Sequence, residues 1–486
     1  MRGVQCSLPT ELWLLVVASL DSRSDLAHLS CTSSPLLRIV RPILYRSVSL
    51  TARVQGTDPS YTLALLARDE ALAKSVVELK LNRPISRYLT SHSMHNLVNP
   101  AALANLVSLR HIVIRGSVFL TPHEQHEFGR VLADIPLEDL AYIAYNSLEK
   151  WPNDEMEGIR DLKKLVWKTE ASDGPMWDIL SRSRTTIHTL SLPFSHVDES
   201  PCLRLWTMHF PHLRSLTLGV WDIEAEVLSA NAPDFTDFIL THNNTIEELD
   251  MEYGQYDDCA LRFDRSALTR LGPDSLPHLR SFRGNASTFM IMAQARMKCL
   301  KTTLRRLVVG PGGVDDPTWE LRWMFDAILS PVTGGTSSGS ALGRLSALIE
   351  LDLDLSQWEE RERTAIVEAI RLCAECCGPS LEVWIGTLPG VVPMNAEELG
   401  ELFGLFQRLR VIFLPGAIIP RGKYEGDEGE CAKYVRILAS KCLALEEVCL
   451  KYYPPNQPIV VWEIMRDRTF ESREGSICSV RQRVTA

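Results

Sequence analysis

At 486 residues the chain is several times longer than one compact hydrophobic core accommodates, so it either divides into domains or runs as a repeat array. Its 45% hydrophobic and 23% charged content is that of a folded protein, and its net charge of −10 argues against non-specific nucleic-acid binding, which needs clustered cations. Twelve cysteines at irregular spacing do not make a disulfide framework; they read as reduced, buried thiols of a cytoplasmic or nuclear protein.

The first apolar run is Leu12 to Leu20, LWLLVVASL. Pro9 and Glu11 stand where a secretory signal would carry its basic region, and the run is about half the length of a membrane span, so it reads as a helix. No other stretch approaches a spanning length, and no membrane partner is expected. Leu8-Pro9-Thr10-Glu11 opens this helix, and Leu12–Ala18 is apolar on every side, so it must be covered from more than one direction. A second helical pattern runs through Leu26, Leu29 and Cys31 and breaks near Ser34-Pro35. A third runs through Leu36, Leu37, Ile39 and Val40 up to Pro42. Three helices in about 45 residues cannot bury so much apolar surface alone; part of it should meet the repeats or another chain.

Residues 6–50, and within them LPTELWLLVVASLDSRSDLAHLSCTSSPLLRIVRPILYRSV, resemble an F-box. The ending Arg41-Pro42-Ile43-Leu44-Tyr45-Arg46 is similar to the fungal version. The resemblance implies a three-helix module that binds the Skp-type adaptor of a cullin–RING ubiquitin ligase, with Leu8, Pro9, Leu12, Val16, Leu20 and Leu26 as the adaptor contacts. The tryptophan that many F-boxes carry in the last helix is missing, and Leu36-Leu37 stand near its place. A plain helical cap on the following repeats is the alternative reading.

Residues 51–75 read as a connecting helix or linker, and 76–453 as repeats. An apolar-x-x-Leu-x-apolar pattern recurs thirteen times. It appears as VVELKL (76–81), LVSLRHIVI (106–114), LEDLAYI (137–143), LKKLVW (162–167), IHTLSL (187–192), LRSLTL (213–218) and IEELDM (246–251). It continues as LPHLRSF (276–282), LRRLVV (304–309), LSALIELDL (345–353), LEVWI (381–385), FQRLRVIFL (406–414) and LEEVCL (445–450). The mean period is about 31 residues, and the closing Leu-x-Leu alternation suits a short strand. Helical patterns lie between the copies. Thr121 with Glu124, Ser356 with Glu359 and Asn395 with Glu398 are capping boxes, and Asp316-Pro317 is a further helix start. Alternating strand and helix implies parallel strands with crossover helices. The chain is therefore expected to be α/β: a three-helix F-box-like module followed by an irregular solenoid similar to leucine-rich repeats, with parallel strands on the concave face and helices on the convex face.

A doubly wound α/β protein is the competing architecture, but it needs continuous Val/Ile strands and a Gly-rich first turn, and neither occurs. The Asn that regular leucine-rich repeats place after the strand is absent, so irregular curvature is expected. TGGTSSGSALG (333–343) reads as a flexible surface loop, RGKYEGDEGE (421–430) as a second loose segment, and 454–486 as a tail without a repeat that ends polar, with Arg481 and Arg483.

No constellation of residues calls for catalysis, a metal or a cofactor. His123 and His126 are three apart rather than the four a zinc-protease helix needs, and they open a surface helix. Cys373, Cys376 and Cys377 lack a second half at zinc spacing and read as buried helix cysteines. Gly310-Pro311-Gly312-Gly313 is not followed by Lys-Ser/Thr and is a turn. The carboxylate pairs Asp257-Asp258, Asp315-Asp316 and Glu359-Glu360 suit helix starts.

The residues between the strand leucines are the candidate target contacts. Lys80, His111, Arg115, Lys164 and Lys168 gather in the first half, and the carboxylates Glu248, Asp250, Glu252, Glu350, Asp352 and Asp354 on two later rungs. Two functions fit: a substrate-recognition adaptor of a Skp–cullin–F-box ubiquitin ligase, or an interaction scaffold outside any ligase. An enzyme is not expected.

Overall fold

The computed structural model describes residues 8–20, 22–51, 59–82, 100–116, 122–143, 158–168, 174–195, 204–221, 235–253, 270–310, 324, 345–354, 363–387, 395–415, 428–451, 459–466 and 477–485. The boxes at Thr121 and Ser356, the Asp316-Pro317 start, the three carboxylate pairs and the loop at 333–343 lie outside these residues. So do the side chains of His123 and His126.

The chain opens with three short helices, α1 (Thr10–Ala18), α2 (Arg23–Ser30) and α3 (Ser34–Leu44). Serines start the second and third: Ser22 Oγ accepts from the Asp25 N–H and Ser33 Oγ from the Leu36 N–H. Their common core is small, with Val17, Leu26 and Val40 at the centre and Leu20, Leu29, Ile39, Ile43 and Leu44 packed around it.

Two compact units follow from the contact pattern, Met1–Ser195 with Phe210–His212, and His196–His209 with Leu213–Ala486. In the first unit, β1 (Ser47–Thr51), β2 (Glu78–Asn82), β3 (His111–Arg115), β4 (Asp139–Ile143), β5 (Lys164–Lys168) and β6 (Thr189–Ser195) pair in parallel, each with the next in sequence. The helices α4 (Pro59–Arg68), α5 (Glu70–Ala73), α6 (Pro100–Ala104), α7 (Pro122–Ala133) and α8 (Gly174–Ser183) lie between strands in sequence. Strand β1 differs from expectation. Two residues separate it from the end of α3, it lies inside the interval assigned to the helical module, and Val48 and Leu50 alternate inward on it. The stretch read as a connecting helix or linker holds α4 and α5, which stand between β1 and β2 as a crossover. Asp69 caps α5 through the Leu72 N–H and pairs with Arg41 of α3 at 2.8 Å, while Arg23 donates to the Ser47 carbonyl.

In the second unit, β7 (Ser215–Trp221), β8 (Glu248–Tyr253), β9 (Ser281–Asn285), β10 (Arg306–Gly310), β11 (Glu350–Asp354), β12 (Val383–Thr387), β13 (Val411–Pro415) and β14 (Glu447–Lys451) are parallel in chain order. Between them run α9 (Ala286–Gln294), α10 (Cys299–Thr302), α11 (Arg363–Cys377), α12 (Ala396–Phe403) and α13 (Glu428–Lys441). All thirteen motif copies are strands, β2 to β14. Strands that alternate with crossovers, each beside its successor within its unit, are the topology of a leucine-rich-repeat-like solenoid.

The tail read as repeat-free adds two strands, β15 (Ile459–Arg466) and β16 (Ile477–Thr485), both antiparallel to their neighbours. Trp462 falls in register with Val448 and is buried, so the hairpin extends the core. The segment read as loose at 421–430 ends in helix, since α13 starts at Glu428.

The repeats are held by two devices. Hydrophobic columns run through the sheet, such as Leu79–Ile112–Leu140–Leu165–Leu190, all buried. In addition, the carbonyl before most of the parallel strands accepts two N–H groups of the next repeat: the Arg110 carbonyl takes Glu138 at 2.8 Å and Asp139 at 3.0 Å, and the Glu382 carbonyl takes Arg410 at 2.8 Å and Val411 at 3.1 Å. Hydroxyls ahead of the strands also bridge repeats: Thr303 Oγ1 donates to the Leu279 carbonyl and Ser380 Oγ to the Leu345 carbonyl.

Asn395 forms the expected cap, its Oδ1 accepting from the Glu398 N–H at 2.7 Å. Cys373, Cys376 and Cys377 are buried in α11, and burial pushes the Cys377 thiol up to about 12. Among the described residues, no helix is long and apolar enough to cross a membrane.

Candidate protein-interaction surfaces

The first surface is the helical module. Helix α1 buries only Val17. Leu12 is 44% exposed and Leu15 67%, and Leu8, Leu14, Val16 and Leu37 are exposed beside them. The cause lies in the sequence: a helix apolar on every side sits on a three-helix core with room for one of its faces. Of the six expected adaptor contacts, Leu8, Pro9, Leu12 and Val16 are on the surface. Leu20 is half-buried against the core, and Leu26, at 7% exposure, belongs to the core itself. Covering each exposed leucine would contribute about 1 kcal/mol, since each is already partly buried.

The second surface is the open face of the strands, formed by the residues between the buried columns. In the first unit, Lys80 pairs with Glu78 at 2.8 Å along its own strand, and Ser47 donates to the same carboxylate. Those two bonds hold Glu78 below the usual carboxylate range. His111 Nδ1 meets Asp139 at 2.8 Å across the β3–β4 ladder. Arg115 and Lys164 are exposed and have no ion-pair partner among the described residues, and Lys168 is half-buried.

In the second unit, the acidic rungs are met by cations on the same sheet. Arg283 of β9 lies 3.6 Å from Asp250 of β8, and Arg306 of β10 lies 2.8 Å from Glu350 of β11. Ser215 donates to Glu248 at 2.8 Å. Asp352 is half-buried, and the side chains of Glu252 and Asp354 lie outside those the structure describes. The two acidic strands are separated by β9 and β10, so the trios lie about 14 Å apart at the usual strand spacing. Arg283 and Arg306 were absent from the expected contacts, although they occupy the same motif positions as the residues that were singled out.

A further group was missed because it is apolar. Val383 and Ile385 of β12, beside Glu350 and Asp352 of β11, and Val411 and Phe413 of β13, one strand further on, occupy open positions and are all half-buried. Charge was the only signal sought at those positions.

At the strand starts, charged residues form alternating rungs. Glu138 receives Lys163 at 2.7 Å and Arg110 at 4.0 Å, and Arg410 lies between Glu446 at 2.7 Å and Glu382 at 3.8 Å. These clamps link neighbouring repeats and are partly exposed, so each contributes little. Among the described residues, no group of three His, Cys, Asp or Glu side chains is placed to hold a metal ion.

No protein-family model and no curated protein matches this chain. Known structures are similar at low identity, two of them as follows. A chain from the crystal structure of the yeast Rad7 and Elc1 complex is 13% identical with a TM-score of 0.41, covering 84% of this chain and 88% of its own. The leucine-rich repeat-containing protein LegL7 from Legionella pneumophila is 11% identical with a TM-score of 0.30, covering 84% and 91%. Likeness at this level has no bearing on function.

Proposed function

We propose that the chain is a non-enzymatic adaptor whose N-terminal module binds the Skp-type adaptor of a cullin–RING ubiquitin ligase, and whose strand faces bind a protein target. The observation that carries this reading is the exposed apolar helix α1. Leu8, Leu12, Leu15 and Val16 face outward from a module whose own core is already filled by Val17, Leu26 and Val40. A helix that only capped the repeats would turn such residues inward, because apolar side chains left in water forgo the burial that stabilises a fold. The resemblance of residues 6–50 to an F-box names the partner.

On the strand faces, the proposed target contacts are Lys80, His111, Arg115, Lys164 and Lys168 in one unit. In the other they are Glu248, Asp250, Glu252, Glu350, Asp352 and Asp354. The proposed setting is cytoplasmic or nuclear. An interaction scaffold outside any ligase is the second reading, and it shares the strand-face surface but not the adaptor. Purification of the tagged chain from its own cells separates the two. Co-purification of a Skp-type protein and a cullin is expected, and loss of both from a Leu12→Ala/Leu15→Ala variant that still folds. Recovery of target proteins without either component would favour the scaffold.

A further inference from the structure

Between Asp274 and Asp315 the chain carries seven Lys and Arg side chains and not one Asp or Glu, although its net charge is −10. This stretch holds β9, α9, α10 and β10. Four of its cations are met by carboxylates from outside it: Arg280 by Glu247 at 3.4 Å, Arg283 by Asp250 at 3.6 Å, Lys298 by Asp274 at 2.8 Å and Arg306 by Glu350 at 2.8 Å. The other three, Arg296, Lys301 and Arg305, are exposed and have no ion-pair partner among the described residues. All three stand between the end of α9 and the start of β10. The Lys298 N–H donates to the Pro273 carbonyl ahead of β9, and the Lys301 carbonyl accepts from Ser346 ahead of β11, which fixes the three at the edge where the strands begin. Backbone bonds order the residues along that edge, each carbonyl accepting from the next rung in the series Glu247, Arg280, Arg305, Ile349, Glu382. Arg305 therefore has a cation on one side and an apolar residue on the other, and Arg280 shares Glu247 with Arg214. Like charges on neighbouring rungs repel, and an anion from outside relieves that. At Arg410 the balance is reversed, with Glu382 and Glu446 on either side.

We propose that this edge docks a short acidic segment of a partner protein, its carboxylates on Arg296, Lys301 and Arg305. Guanidinium groups suit carboxylates because their parallel N–H donors match the two oxygens. The neighbouring rungs set the length of the segment. Glu247 and Glu382 bound the series on either side, so the cationic edge spans few rungs, and a long polyanion would run on to carboxylates. That selects a few Asp or Glu residues over a nucleic acid. The edge includes none of the residues proposed for α1 or the strand faces, so the proposal holds or fails independently of both.

The test is fluorescence anisotropy of the full-length chain with a labelled Glu/Ser peptide of about ten residues, against its Lys/Ser counterpart and an RNA oligonucleotide of equal charge. The Glu/Ser peptide is expected to bind at low salt and to release toward 1 M salt, where charges are screened beyond about 3 Å. Arg296→Gln/Lys301→Gln/Arg305→Gln should weaken binding roughly 10-fold or more with an unchanged thermal melt. Arg305→Gln alone should weaken it about 3-fold, which keeps the test open should the triple variant not fold. Lys74→Gln/Arg130→Gln removes two exposed cations from helices of the other unit and should leave affinity within about 2-fold, which separates the site from the chain's net charge. Equal binding by wild type and the triple variant overturns the proposal. So does an equal loss in Lys74→Gln/Arg130→Gln, a preference for the Lys/Ser peptide, or tighter binding of the RNA.

Discussion

The indole of Trp384 lies over the Cα of Gly386, two residues along the same strand, in the space a side chain at 386 would otherwise fill. Phe282 and Gly284 repeat the arrangement on β9, where an added Cβ would stand 2.7 Å from the ring. Each aromatic occupies two inward positions of a strand at once, in place of the usual Leu-x-Leu pair. Gly386→Ala should therefore overpack the core and cost about 1–3 kcal/mol. Trp384→Leu removes the obstruction, so the double variant should lose clearly less than the sum of the two single variants. Thermal melts of the four proteins in the cycle measure the coupling, and simple additivity would show that the ring does not depend on the glycine.

His242 is 2% exposed, with its Nδ1 2.7 Å from the Phe238 carbonyl and its ring stacked on that of His209. Burial holds its pKa below the ordinary 6.5 of an unfolded histidine. The unfolded chain therefore binds a proton that the folded chain resists. Stability from this residue is present in full above about pH 6.5 and is lost as pH falls toward the folded value. His242→Phe should reduce the fall in melting temperature between pH 7.5 and pH 5. A fall as large as in wild type would assign the acid sensitivity to other groups.

Helix α1 should lose its partner before it loses its fold. Leu12→Ala and Leu15→Ala remove exposed surface, so the melting temperature should change little, because such positions are generally within about 0.5 kcal/mol. Affinity for a purified Skp-type adaptor should fall at least 10-fold in the double variant, since interface anchors cost about 1–3 kcal/mol each on truncation. Calorimetric titration reads the affinity directly. Full affinity in a folded double variant would place the adaptor elsewhere or remove it from the account.

Arg306 should restrain the charge of β11 rather than stabilise the fold. Its pair with Glu350 is partly exposed, and such pairs contribute about 0–1 kcal/mol. Arg306→Ala should leave the melting temperature nearly unchanged. A fall of more than a few degrees would show that the pair clamps β10 to β11.

The sequence by itself determined the repeat and the strands. Leu79 of β2, Leu165 of β5 and Leu249 of β8 sit at the same motif position and are all buried, because a period-two alternation has only one way to face a core. It also determined that α1 must be covered by something, since a helix apolar on every side exceeds what three short helices can bury. Tertiary structure decided the rest. Val48 and Leu50 of β1 alternate like any repeat strand, yet the strand follows α3 so closely that only pairing with β2 separates it from the module. The hairpin β15–β16 lacks the leucine motif because its strands run antiparallel to their neighbours, outside the parallel strand-and-crossover repeat. The neutralisation of Asp250 and Glu350 by Arg283 and Arg306, and the meeting of Ile385 with Phe413 beside Asp352, join residues 28 to 44 positions apart in the chain. Those encounters depend on ladder register, and register is set by how each crossover packs, not by the residues that come to face one another.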